Sequence, residues 1–288
     1  MSNKRSEIQR IRDFKSAHWV SSEMANKFIE RSNPERFPIM NYYKLVDLEL
    51  SSHFLPGDHV LDLGCGQGQT SIALADHGCS VVGCDISEAL LQELRRTKGD
   101  RKIEVRAGDA YNIPADAGEF DGVVARMFMT HFVDWYTILA EMARVCKSNG
   151  IIAFPFSSKE NRVMAEQHQK FDCPELYYST DTLESYFAAD PEKKPTRFSA
   201  EASHDEMTGV CNAIGLELVD IKPFNFFYFN FLIGYSIGPE KLVEYRSKLS
   251  EFLKNEEIRA FIFWFEQMVV PHFPRFMTSS NFVICRKL

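Results

Sequence analysis

The sequence predicts an α/β fold in which a mostly parallel sheet is covered by helices on both faces. Two observations predict it. From Pro56-Gly57 onward, short apolar runs alternate with stretches whose apolar residues recur at helical spacing. The apolar runs are nearly continuous, as expected for strands buried on both faces, and helix-length links join them.

The elements follow in order. "HVLDL" at 59–63 reads as the first strand, and "SIALADHG" as a helix closed by Gly78. "SVVGCD" at 80–85 is the second strand, and Ser87 is placed to cap a helix carrying Leu90, Leu91 and Leu94. "IEVRAGD" at 103–109 alternates like a strand, and "FDGVVARM" at 120–127 is the next. Asp134 is a candidate cap for a helix whose Ile138, Leu139, Met142, Val145 and Cys146 share a face. "SNG" at 148–150 turns into a fifth strand, "IIAFPF". After residue 158 the pattern becomes irregular, with a later helix from "HDEMTGVCNAIG", a sixth strand near 216–222 and a helical stretch at 239–255. The terminal "NFVICRKL" reads as a strand returning antiparallel at the sheet edge. The chain divides into an N-terminal helical cap segment (1–50), a core (51–158), and remaining strands with cap insertions (159–288).

Composition narrows the function. A net charge of −7 and no lysine–arginine block argue against a nucleic-acid binder. Seven scattered cysteines, none spaced C-x-x-C, suit reduced thiols in a cytoplasm and supply no metal-ligand pattern. The N-terminus lacks a signal-peptide core, and the most apolar stretch, 224–237, is short and interrupted for a membrane span.

The chemistry starts at "LGCGQGQT", where the first strand runs into Gly64, Gly66 and Gly68. Glycines there let a ligand approach the backbone, and the following helix offers free N–H groups. A dinucleotide fingerprint places its third glycine one position later, and a phosphate-binding P-loop needs a lysine that is missing. A nicotinamide cofactor is thereby the weaker choice, and a nucleoside triphosphate is struck out. Asp85, ending the second strand, is placed to accept both hydroxyls of a ribose. Asp109, in "AGDA", is placed to accept from an adenine amino group.

With those motifs, "LDLGCGQG", "GCDIS", "AGDA", "FDGVVARMFMTHFVDW" and "EMARVCKSNGIIAF", the chain resembles the class I S-adenosylmethionine-dependent methyltransferases. The resemblance spans roughly residues 57–158, with weaker similarity at 204–222 and 281–287. It implies a Rossmann-like seven-stranded sheet with the last strand antiparallel, and S-adenosylmethionine as cofactor. It further implies that Gly64, Gly66, Asp85, Asp109 and Ala110 contact the cofactor. Asp62, Cys65, Gly68, Ile86 and Arg126 are further candidates for that site, Arg126 being also placed to neutralise an anionic acceptor or to pair with a neighbouring carboxylate. A ligand with ribose and adenine but no phosphate explains the shifted third glycine.

His131, after the fourth strand, is the candidate general base, with a structural role beside the cofactor as the alternative. Tyr42, Tyr43, Tyr177, Tyr178 and His204 are candidates for facing the substrate. The expected acceptor is a small metabolite, such as a sugar or natural-product intermediate, methylated on oxygen or nitrogen. The aromatic residues between 224 and 268 are expected to form a lid core or a homodimer interface. A nucleic-acid methyltransferase is disfavoured, because "ARMF" stands where an Asn/Asp-Pro-Pro-aromatic motif is needed. A non-catalytic cofactor-binding subunit remains the alternative from another class.

Overall fold

In the computed structural model, residues 9, 12–13, 16–132, 134–160, 200–227, 239–278 and 280–288 are described. Strands β1 (His59–Leu63), β2 (Ser80–Asp85), β3 (Ile103–Ala107), β4 (Phe120–Val124) and β5 (Cys146–Ser158) run parallel to one another. With β6 (Glu201–Ala202), β7 (Leu216–Phe224) and β8 (Ser280–Lys287), they form one sheet of order β3-β2-β1-β4-β5-β8-β7. The two-residue β6 pairs with the end of β5, off that path. The ladder of seven is the one expected, and β6 is an added eighth strand.

The terminal strand is antiparallel as expected, but it lies between β5 and β7 rather than at the edge. Burial explains the placement. Residues Asn281 to Cys285 of β8 are all buried, whereas β7 carries exposed Glu217, Val219 and Asp220. The more polar strand takes the solvent-facing edge, where an apolar one invites further pairing.

Helices α1 (Ser22–Arg31) and α2 (Lys44–Ser51) precede the sheet. Helices α3 (Gln69–Asp76), α4 (Glu88–Thr97), α5 (Trp135–Val145) and α6 (His204–Ala213) connect strands. Helices α7 (Pro239–Phe252) and α8 (Glu256–Met268) lie between β7 and β8. Alternation along β1 splits the core into two layers. Val60 packs with Val46 and Leu50 of α2, Leu74 of α3 and Leu91 of α4. Leu61 and Leu63 pack with Ile138, Leu139 and Met142 of α5 and Met207 of α6.

Two expected caps act differently. Ser87 and Asp134 occupy the positions before α4 and α5, yet neither side chain caps its helix. The Ser87 N–H is drawn to the Asp85 carboxylate, and Asp134 turns toward Tyr111 and Arg12. Strand β4 ends at Val124, short of the expected 127, as Met127 adopts φ 48°. Asn149, in the anticipated turn, has φ 65° inside a continuous β5.

The described part of the aromatic C-terminal region forms a small separate core with the N-terminal segment. Tyr42 and Leu45 pack with Leu249, Leu253 and Ile262, against Phe227, Tyr245 and Phe263. Glu266 of α8, 2% exposed, accepts hydrogen bonds from the N–H groups of Asn225 (3.1 Å) and Phe227 (3.0 Å) and from the Tyr42 hydroxyl. Among the described residues, no helix is long and apolar enough to cross a membrane.

Candidate functional site

The sheet order reverses between β2-β1 and β4-β5, and ligands bind beyond the strand ends at such a point. A cavity of about 470 Å³ lies there, walled by the loops after β1, β2, β3 and β4 and by the N-terminal segment. That volume is within the range of small-molecule sites.

The glycine loop is tied to β2: the Gly64 and Cys65 N–H groups both donate to the Cys84 carbonyl, at 2.8 and 3.1 Å. Gly64 has φ +70°, and a Cβ there would lie 2.2 Å from the Phe128 ring. Gly68 has φ +88° at the N-cap of α3, and its Cβ would lie 2.2 Å from Leu94 Cδ1. Glycine is thus required twice, once for the cavity wall and once for helix packing.

Asp85 stands at the end of β2, inside the cavity wall. Its Oδ2 accepts from the Gly66 N–H at 2.9 Å and its Oδ1 from the Ser87 N–H at 2.8 Å. Burial pushes its carboxyl above the usual range, and those backbone donors pull it back. Each oxygen retains a lone pair for a hydroxyl donor. Asp109 lines the same cavity, with Oδ1 accepting from the Tyr111 N–H at 3.0 Å. Cys65, Ile86 and Ala110 also line it; burial pushes the Cys65 thiol well up, which removes it as a nucleophile.

Asp62 lies beneath the loop rather than on the cavity wall. It is fully buried, its Oδ2 accepts from the Ser71 hydroxyl at 2.6 Å, and its Oδ1 has no partner. Burial raises its carboxyl to about 7, with Ser71 opposing the shift. A carboxyl raised in the folded state lends stability that is present below its unfolded value and is lost as pH rises toward the folded value. Asp62→Asn is therefore expected to flatten the fall in stability between about pH 4 and 7, a span worth about 4 kcal/mol. Thermal melts of both proteins across that range check it, and parallel profiles would contradict it.

Arg126 follows β4 and lines the cavity. Its Nε lies 3.0 Å from Asp47 Oδ1, and its guanidinium sits 5.4 Å from the Tyr43 ring centroid. Asp47 also accepts from the Thr70 hydroxyl at 2.7 Å, which ties α2 to the start of α3. Burial raises the Asp47 carboxyl, while Arg126 and Thr70 hold it down. The adjacent Met127, at φ 48°, is a non-glycine residue in left-handed backbone on the cavity wall, a strained conformation typical of functional sites.

His131 ends a short 3₁₀ turn after β4 and lines the cavity, its ring 5.4 Å from that of Trp19. Tyr43 also lines the cavity. The structure places two other candidates elsewhere: Tyr42 is 1% exposed in the small separate core, held by Glu266, and His204 begins α6 beside Asp205, off the cavity wall. Gly68 serves the helix start rather than the wall. Tyr177 and Tyr178 lie outside the described residues.

Several wall residues escaped the sequence reading. The Arg12 guanidinium stacks 3.9 Å from the Tyr111 ring centroid and pairs with Asp134, which accepts from the Tyr111 hydroxyl at 2.7 Å. Trp19, Phe28 and Phe128 add rings to the wall. An amphipathic pattern around Trp19 and Phe28 was the only available signal, and it does not say what that face covers.

The fold, with its cavity at the point where the strand order reverses, is the one that solved S-adenosylmethionine-dependent methyltransferases share. Residues 61–154, about a third of the chain, match the family model described as "Methyltransferase domain". A demethylmenaquinone methyltransferase from Beutenbergia cavernae is 36% identical over 104 residues, covering 36% of this chain and 42% of that protein. The alignment thus spans less than half of the curated relative. Two solved structures share the fold at a TM-score of 0.51. Magnesium protoporphyrin IX methyltransferase from Synechocystis PCC 6803, with bound SAH, is 14% identical and aligns over 86% of this chain and 84% of its own. A SAM-dependent methyltransferase from Methanosarcina mazei is 17% identical, over 83% and 97%.

Proposed function

We propose that the protein transfers a methyl group from S-adenosylmethionine to an oxygen or nitrogen of a small-molecule acceptor. The observation that carries this is the Asp85 carboxylate, fixed by two backbone N–H groups beside a glycine loop with no phosphate-binding lysine. The residues fit the cofactor. Gly64 and Gly66 leave room for its amino-acid end, Asp85 takes the ribose hydroxyls, and Asp109 with Ala110 holds the adenine. When bound, the cofactor supplies an electrophilic methyl on a cationic sulfur.

The chain's own residues bind, align and exclude water. Alignment of a nucleophile with an electrophile lowers a barrier by about 7–11 kcal/mol. Rings of Trp19, Phe28, Tyr43 and Phe128 wall the cavity, and ion pairs Arg12–Asp134 and Asp47–Arg126 fasten the N-terminal segment across it. The relative named for a small-molecule acceptor supports an acceptor of that size.

We assign His131 the proton-accepting role. His131→Ala is expected to lower kcat about 10²-fold or more and to remove one ionisation from its pH profile. Cofactor affinity should stay within about twofold, since a base adds to the barrier term and not to ground-state binding. Loss of affinity with kcat unchanged would make His131 a packing residue. The function itself is tested by incubating the protein with methyl-labelled cofactor and a panel of small hydroxyl and amine compounds. Label transferred to one of them is the expected result. Cofactor binding without transfer to any would favour a binding subunit.

A further inference from the structure

Three arginines line the cavity, and their electrostatic situations differ. Arg12 is neutralised by Asp134, and Arg126 by Asp47. Arg31 ends helix α1, and among the described residues no carboxylate pairs with it. Phe28, Arg31 and Ser32 stand at i, i+3 and i+4, so α1 and its cap turn one face to the cavity. The Ser32 hydroxyl is committed to the Phe28 carbonyl at 2.8 Å, which leaves the guanidinium as the charged group of that face. Beside it, the Phe28 ring meets Trp19 edge-on at 6.0 Å, and Trp19 meets His131. One wall thus offers two aromatic rings set edge to face, an imidazole and, among the described residues, one cation without a carboxylate partner.

The loop side of the cavity has groups of its own that suit the carboxylate of the proposed cofactor. The N-terminus of α3 presents the free N–H groups of Gln69 and Thr70, and Arg126 reaches Gln69 at 3.5 Å. From this arrangement we infer that Arg31 selects the acceptor, and that the acceptor is an aromatic carboxylate. Its ring packs on Trp19 and Phe28, and its anionic group pairs with the Arg31 fork. The inference rests on the methyltransferase reading and extends it to the substrate class.

The test uses the full chain loaded with S-adenosylhomocysteine and titrates benzoate, with neutral benzamide as the matched control. Benzoate is expected to bind the wild type more tightly than benzamide does. Arg31→Gln should weaken benzoate about tenfold or more, the loss of a charged hydrogen-bond partner. Arg31→Lys, which keeps the charge but not the fork, should fall between them. S-adenosylhomocysteine affinity and the melting temperature should be unchanged in both variants. Equal benzoate binding by wild type and Arg31→Gln overturns the proposal, as does absence of benzoate binding to the wild type. If Arg31→Gln instead costs S-adenosylhomocysteine about tenfold, the guanidinium serves the cofactor and the acceptor assignment falls. Failure of S-adenosylhomocysteine to bind the wild type overturns the methyltransferase reading itself, a separate result.

Discussion

Asp85→Ala is expected to raise the dissociation constant for S-adenosylmethionine about 100-fold or more. Two ribose hydroxyls donating to a partly buried carboxylate contribute about 1.5–3 kcal/mol each, and every 1.4 kcal/mol is a decade of affinity. The truncation also removes the acceptor for the Gly66 and Ser87 N–H groups, so the loop loses one of its ties to the end of β2 and keeps those to the Cys84 carbonyl. Asp85→Asn separates the two effects. It keeps the shape and one acceptor but turns an amide donor toward another donor, so a loss between wild type and alanine is expected. Calorimetric titration reads all three proteins. Wild-type affinity in the alanine variant would remove Asp85 from the ribose contact.

Gly64→Ala should be the most damaging small substitution in the loop. Its backbone sits at φ +70°, which costs an L-residue about 1–2 kcal/mol, and the new methyl would press on the Phe128 ring at 2.2 Å. The ring must move into the cavity or the loop must lift from the Cys84 carbonyl. Either outcome spoils the cofactor surface, so affinity should fall by about tenfold or more along with stability. Gly118→Ala is the internal control, because it has a similar φ of +68° with nothing within 4 Å. That variant should lose only the backbone share of stability and keep cofactor affinity. Equal affinity in the two variants would show that close approach at Gly64 does not matter.

The first five strands and Asp85 were legible because their signals are local. Alternating apolar runs, turn glycines and an acidic strand end lie within a few residues of one another. The position of β8 was less so: its apolarity marks a strand, while its place inside the sheet depends on how polar β7 is. Of the N-terminal wall only Tyr43 was a candidate, and the ion pairs that hold the segment were not legible. Arg12 meets Asp134, and Asp47 meets Arg126, only because the chain folds back across the strand ends. Tyr42 shows the same limit, since an aromatic residue beside the core looks alike in a cavity wall or in a packed cluster. Its burial against Glu266 decides between them.

The central claim is that the cavity at the end of β1 holds an adenosyl ligand without phosphate. Parallel calorimetric titrations of the wild-type chain with S-adenosylhomocysteine and with NADH test it most directly. One-to-one, micromolar binding of S-adenosylhomocysteine and no binding of NADH is the expected result. Tight binding of NADH with no binding of S-adenosylhomocysteine would contradict it.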